Sequence, residues 1–211
     1  MHLYLIRHGK TAGNLLRQYI GRTDEPLCAQ GIHRLQLLKE AGYYPDRPQK
    51  IYVSGMLRCR QTAAILWPEQ QAVPVDALRE CDFGRFEGKT YEQLQMDPDY
   101  RAWIGGESTN IPQGEDTLSF RQRCVCAFAK IAREISAFPV SSVAMVLHGG
   151  SIMAVLQAYC GDALPPMSQQ ESFYRWQISN GAMISAQLTV QEDGTPVLTH
   201  CHQHLTPSFP D

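Results

Sequence analysis

Two kinds of apolar pattern alternate through most of the chain: short unbroken runs, and stretches with apolar residues three to four positions apart. The unbroken runs at residues 3–6 and 143–147 have the character of strands buried on both faces of a parallel sheet. Residues 50–54 form a third short run of this kind. Between them, 31–38 carries Ile32, Leu35 and Leu38 in helical phase and stops near Gly42 and Pro45. Residues 57–67 predict a second helix, ended by Pro68, and a short helix is expected within 13–19. A long helix over 116–137 has an apolar stripe of Phe120, Cys124, Ala127, Phe128 and Ile131, and 151–159 predicts another, closed by Gly161. This β-α-β-α order is that of a parallel sheet covered by helices.

The pattern weakens between 73 and 114. Residues 73–78 read as a strand leading to Arg79-Glu80, and Thr90 is placed to cap a short helix reaching 96. Residues 97–113 hold Pro, Gly, Ser and Asn and read as irregular, so about 83–113 is expected to form a cap over the sheet rim. Residues 183–190 and 196–204 read as a hairpin through Asp193-Gly194, placed at the sheet edge. With no repeat, low-complexity tract or linker, residues 1–211 are expected to be one domain. The fold class is α/β: a three-layer α/β/α sandwich around a mainly parallel sheet.

Composition narrows the partners. The net charge of -2 gives no basis for electrostatic nucleic-acid binding, so any affinity for phosphate must come from a local group of cations. No apolar run approaches the roughly 20 residues that span a bilayer, and no basic leader precedes the first strand. The seven cysteines are odd in number and lack a C-x-x-C pair, which fits free thiols in a reducing, cytoplasmic setting. Cys124 and Cys126 read as packing residues of the long helix. Composition leaves the oligomeric state open.

Candidate chemistry sits where strands end. Ligands of open α/β sheets bind beyond the carboxyl ends of strands, and there the chain places Arg7-His8-Gly9 and His148-Gly149-Gly150. A neutral imidazole is a competent nucleophile, and a neighbouring guanidinium both disfavours its second proton and fits phosphate oxygens. The same tripeptide also occurs as a plain polar turn. Arg58 at a strand-to-helix junction and Glu80 after the candidate strand 73–78 add a second cation and a carboxylate.

Taken together, Leu5-Ile6-Arg7-His8-Gly9 with Thr11 and Asn14, Gly21, Asp24, Pro26-Leu27, Gly31, Ser54-x-x-x-Arg58 with Gln61-Thr62-Ala63, Leu78-x-Glu80 with Gly84 and Glu87-Gly88, and Leu147-His148-Gly149 resemble the histidine phosphatase (phosphoglycerate mutase-like) superfamily. The resemblance spans nearly the whole chain in the family's order. It implies that His8 is the nucleophile, and that Arg7, Arg58 and His148 bind the phosphoryl oxygens with Asn14 and the Gly149 N–H. Glu80 would be general acid and then base, with Asp82 and Glu87 as nearby alternatives. The partner implied is a small phosphorylated substrate, with no metal and no cofactor.

The chain also departs from the family. Lys10 stands where Glu or Gln is more usual, and Ala12-Gly13 replaces bulkier residues. Lys10 and Arg22 read as solvated surface, the alternative being added charge at the pocket mouth. Glu115, in a Gly-Glu element like that of the family's small phosphatases, reads as a cap of the long helix. The stretch 84–90 imitates a P-loop but has three residues between its glycines instead of four, which excludes nucleotide binding by that route. His200, His202 and His204 alternate as on one strand face, read as partly exposed strand surface rather than a metal site. Trp67, Trp103 and Trp176 read as packing or cap residues. The expected function is phosphomonoester hydrolysis through a phosphohistidine, most like α-ribazole-5′-phosphate phosphatases of cobalamin synthesis. A phosphoglycerate mutase, a broad-specificity sugar-phosphate phosphatase and a non-catalytic phospholigand-binding protein are the alternatives.

Overall fold

A computed structural model describes residues 1–162 and 174–209. The first apolar run becomes β1 (His2–Arg7), followed by α1 (Ala12–Leu15) and α2 (Ala29–Glu40). Then come β2 (Lys50–Val53), α3 (Leu57–Leu66), β3 (Val73–Pro74), α4 (Tyr91–Leu94), α5 (Pro98–Ile104), α6 (Thr117–Ser136), β4 (Ser142–Leu147), α7 (Gly149–Tyr159), β5 (Met183–Val190) and β6 (Pro196–Gln203). The strands form one sheet in the order β3-β2-β4-β1-β5-β6. β1 and β2 flank β4 in parallel, β3 runs parallel to β2, and β5 and β6 add antiparallel at the edge.

Alternation along the strands assigns the two faces. Ile6, Val53, Ala144 and Val146 pack with Leu35 and Leu38 of α2 and Ala63 and Leu66 of α3. Leu5, Met145, Leu147 and Ile184 pack on the other side with Phe120 and Phe128 of α6 and Ile152 and Val155 of α7. Helices thus cover both faces, as the unbroken apolar runs require: a strand with one wet face would alternate with polar residues.

Three expectations need correction. Only Val73 and Pro74 pair with β2, and the chain then enters a 3₁₀ turn at Asp76–Leu78. Val75 N–H still donates to Val53 O at 2.8 Å beyond Pro74, and the turn ends the ladder there, so Glu80 follows a 3₁₀ turn and not a strand end. The stretch 97–113 is not wholly irregular. Asp97 caps α5 through the N–H groups of Asp99 and Tyr100, with Pro98 in the first turn, a helix start signal written in the residues themselves. The three late histidines do not share a straight strand, because His200 takes a left-handed φ of 54° and the β5–β6 register shifts nearby. His200 and His202 are exposed, as their surface reading requires.

Candidate active site

β1 and β4 end side by side, with Arg7 opposite Leu147, so His8 and His148 leave the sheet on neighbouring strands. Their ring centroids lie 5.1 Å apart. Backbone bonds hold residues 7–8 from both sides: His8 N–H donates to Leu147 O at 3.0 Å, and Gly181 N–H donates to Arg7 O at 2.9 Å. Gly9 N–H donates to the Thr62 hydroxyl at 3.0 Å, which itself donates to Arg58 O at 2.7 Å. Distant segments therefore fix this loop in one geometry.

The protons on the two imidazoles follow from their partners. His8 Nδ1 lies 2.7 Å from Gly9 O. A carbonyl only accepts, so Nδ1 carries the hydrogen and Nε2 keeps its lone pair. Burial pushes the His8 pKa well below the usual histidine value, the charges of Arg58 and Arg7 push it further, and the Gly9 carbonyl offsets only part. Arg58 is fully buried and donates to Thr23 O at 2.8 Å, Gly21 O at 2.9 Å and His148 Nδ1 at 3.3 Å. His148 must then carry its hydrogen on Nε2, where it donates to Ser54 Oγ at 2.7 Å. Its pKa is also held well below normal, by burial and then by Arg58. Both rings are neutral beside two fixed cations.

A cavity of about 660 Å³ opens here, its lining including Arg7, His8, Asn14, Glu80, Gly149 and Gly150. Arg58 and His148 do not line it: His148 packs edge-on against His8, and Arg58 binds His148. Glu80 is positioned by two backbone donors, Cys81 N–H on Oε1 and Gly150 N–H on Oε2, each at 3.0 Å. A Cβ at Gly150 would overlap Glu80 Oε1, so only glycine admits the carboxylate here. The Asn14 carbonyl oxygen accepts from Thr11 N–H at 3.2 Å and Asn180 Nδ2 at 3.0 Å, which leaves the Asn14 amide hydrogens without a partner among the described residues.

The neighbouring carboxylates do other things. Glu87 Oε1 accepts from Gly21 N–H at 2.8 Å and Thr23 N–H at 2.9 Å, holding the loop that Arg58 also grips. Asp82 accepts from Gly84 N–H and pairs with Arg22 at 3.6 Å. Neither they nor Lys10 line the cavity. Glu115 is not the helix cap: Asp116 caps α6 through the N–H groups of Leu118 and Ser119. Glu115 instead takes a two-pronged bond from Arg123 at 2.8 and 2.6 Å. Arg123 donates onward to the carbonyls of Ala77 at 2.8 Å and Arg79 at 3.0 Å. The pair clamps the backbone that presents Glu80.

With this geometry in place, comparison with known proteins is decisive. Residues 3–201 match the family model of the Histidine phosphatase superfamily (branch 1). The chain belongs to the histidine phosphatase superfamily. It is 32% identical over 162 residues to the "Uncharacterized phosphatase PhoE" of Bacillus subtilis, covering 74% of this chain and 76% of that one. It is 29% identical over 177 residues to the "Probable phosphoglycerate mutase GpmB" of Yersinia enterocolitica, covering 81% and 79%. The crystal structure of a putative alpha-ribazole-5′-P phosphatase from Escherichia coli superposes with a TM-score of 0.74 at 25% identity over 94% of each chain. This chain is therefore an enzyme of the phosphatase and mutase class.

In this histidine phosphatase the rest of the cavity wall comes from residues that no motif marks. Tyr19, Phe83 and Trp103 line it and pack edge-on, with centroids 5.2 to 6.0 Å apart. The Tyr19 hydroxyl bonds that of Tyr100 at 2.6 Å, which ties this cluster to α5. Arg17 and Arg121 add cations to the lining. Asn180, which donates to both Asn14 and His8 O, also escaped sequence reading. It sits in a loop before β5 with no local signature. Among the described residues, no helix is long and apolar enough to cross a membrane.

Proposed function

We propose that residues 1–211 act as one domain that hydrolyses phosphomonoesters through a phosphohistidine on His8. The observation that carries this reading is the His8 Nδ1–Gly9 O bond of 2.7 Å, which leaves Nε2 as the nucleophilic atom of a neutral ring beside Arg7. Nε2 attacks phosphorus, the ester P–O bond breaks, and the departing alkoxide takes a proton from Glu80. The resulting Glu80 carboxylate then removes a proton from water as water attacks the phosphohistidine and the P–N bond breaks. Arg7, the Asn14 amide and the Gly149 N–H are assigned to the phosphoryl oxygens, where fixed donors stabilise the charge of the transferring group. Arg58 and His148 belong to the same site, and their geometry supports a role in holding His8 neutral and oriented.

The substrate we assign is a phosphomonoester with a ring-bearing alcohol part, of which α-ribazole 5′-phosphate is an example. The aromatic wall and a volume of about 660 Å³ support this over a three-carbon acid phosphate. Free cysteines throughout support a reducing, cytoplasmic setting. The test is phosphate release from a panel of phosphomonoesters, with His8→Ala as control. Release by the wild type alone is expected. Equal inactivity of both proteins on the whole panel would leave a phospholigand-binding protein, and phosphate exchange within phosphoglycerate without release would establish the mutase.

A further inference from the structure

A second group of reactive side chains lies at the far end of α7. Cys160 and Asp162 follow that helix, Cys201 comes from β6, and one ligand atom from each lies within 4.8 Å of the others. With a rise of about 1.5 Å per residue, α7 separates this group from Gly149 by roughly 16 Å. It therefore shares nothing with the cavity.

The two segments are knitted before any ligand is considered. Gly161 N–H donates to Leu198 O at 2.7 Å, and Cys160 bridges Leu198. The successive N–H groups of His200 and Cys201 donate to the two oxygens of Asp162 at 2.9 and 2.8 Å. That double bond to one carboxylate is made possible by the left-handed backbone of His200, at φ 54°. A non-glycine residue is rarely held there, and the bend brings the Cys201 thiol to Cys160.

We propose that Cys160, Cys201 and Asp162 form a site for a thiophilic divalent cation of the zinc class. Two thiolates select zinc over magnesium or calcium, and a carboxylate is an accepted third ligand. The Cys160 Sγ to Asp162 Oδ2 distance is 3.7 Å. Sulfur and oxygen on a tetrahedral zinc at ordinary bond lengths stand about 3.6 Å apart, so this pair already stands at ligand spacing. The carboxylate is already oriented by two N–H donors, as ligating carboxylates are. Binding displaces the two thiol protons to solvent, and water fills the fourth position. The ion would tie the edge strand β6 to the end of α7.

The test uses the full chain, metal-free and kept reduced with a phosphine, titrated with Co²⁺ and then Zn²⁺. The expected result is a single cobalt site with a sulfur-to-metal charge-transfer band that zinc abolishes, and a melting temperature raised by zinc. Cys160→Ser and Cys201→Ser each reduce the band by at least about half and weaken zinc binding by more than about tenfold, while Asp162→Asn keeps the band and weakens zinc less. Absence of the band in the wild type, or a band and affinity unchanged in Cys160→Ser, overturns the proposal. X-ray absorption of the wild-type zinc complex needs no variant: two sulfur neighbours at about 2.3 Å support the site, and a shell of nitrogen and oxygen alone overturns it.

Discussion

The two walls of the cavity are built on different principles. At the histidine wall the positioning bonds run to backbone: His8 to Gly9 O and Glu80 to the N–H groups of Cys81 and Gly150, with Arg58 behind them on the carbonyls of Gly21 and Thr23. The cap wall of Tyr19, Phe83 and Trp103 is held mainly by ring packing, with the Tyr19–Tyr100 hydroxyl pair and the Trp103 indole N–H on the Thr117 hydroxyl at 3.0 Å. Charge stabilisation depends steeply on distance and direction, so the first wall tolerates one geometry. Apolar recognition scales with area, so the second wall can change its residues and keep its character. On the proposed function, the chemistry belongs to the rigid wall and the specificity to the adaptable one.

Breaking the histidine wall has the largest expected effect. His8→Ala removes the proposed nucleophile and is expected to lower phosphate release by about 10⁴-fold or more, with loss of the acid-labile phosphoryl label on the protein. Glu80→Gln keeps the shape and removes the proposed proton donor. A fall of about 10² to 10⁴ in kcat with KM little changed is expected in steady-state assays. A retained kcat would assign the proton to another group.

Smaller effects test how rigid that wall is. Arg123→Met removes the clamp on the carbonyls of residues 77 and 79 without touching the cavity lining. Misplacing a catalytic group by about 1 Å lowers rates up to roughly 10²-fold. A kcat loss of about 10- to 100-fold is thus expected, with a partial return in Arg123→Lys. A kcat equal to the wild type would show that Glu80 needs no clamp.

The neutral histidines set the pH behaviour of the fold. Burial and Arg58 hold both His8 and His148 pKa values well below normal, so as pH falls below about 6.5 the unfolded chain takes up protons that the folded chain refuses. Stability is therefore full above that pH and declines below it, approaching about 1.4 kcal/mol per pH unit for each histidine. Urea melts between neutral pH and pH 5 read this slope directly. In His8→Ala one proton's share of it disappears.

The smallest effect belongs to the cap. Trp103→Ala is expected to raise KM by about 3- to 10-fold for ring-bearing phosphomonoesters, the worth of a lost aromatic contact. kcat, and KM for glycerol phosphate, should stay near wild type. A uniform loss across substrates would mean that the aromatic wall supports the chemistry after all.

The residues themselves already determined the sheet, its helices on both faces and the place of the histidines. Unbroken apolar runs ending in Arg-His-Gly and His-Gly-Gly are short-range patterns, and a parallel sheet must bring such ends to one rim. The start of α5 is equally local, since Asp97 and Pro98 mark it. Strand β3 is ended by the 3₁₀ turn at Asp76–Leu78, which no residue of the run 73–78 announces.

Only the tertiary structure decided which carboxylate faces the cavity. Glu80, Asp82, Glu87 and Glu115 look alike in sequence, and their roles depend on which N–H groups and cations distant segments bring to them. Gly150 must leave room for Glu80, and Arg123 must reach across from α6. The same holds for the cap wall and for Asn180, because ring packing and long-range amide bonds leave no period or spacing in the chain. Local propensity and strand-end chemistry are properties of neighbours in sequence. Partner choice among polar groups is a property of neighbours in space.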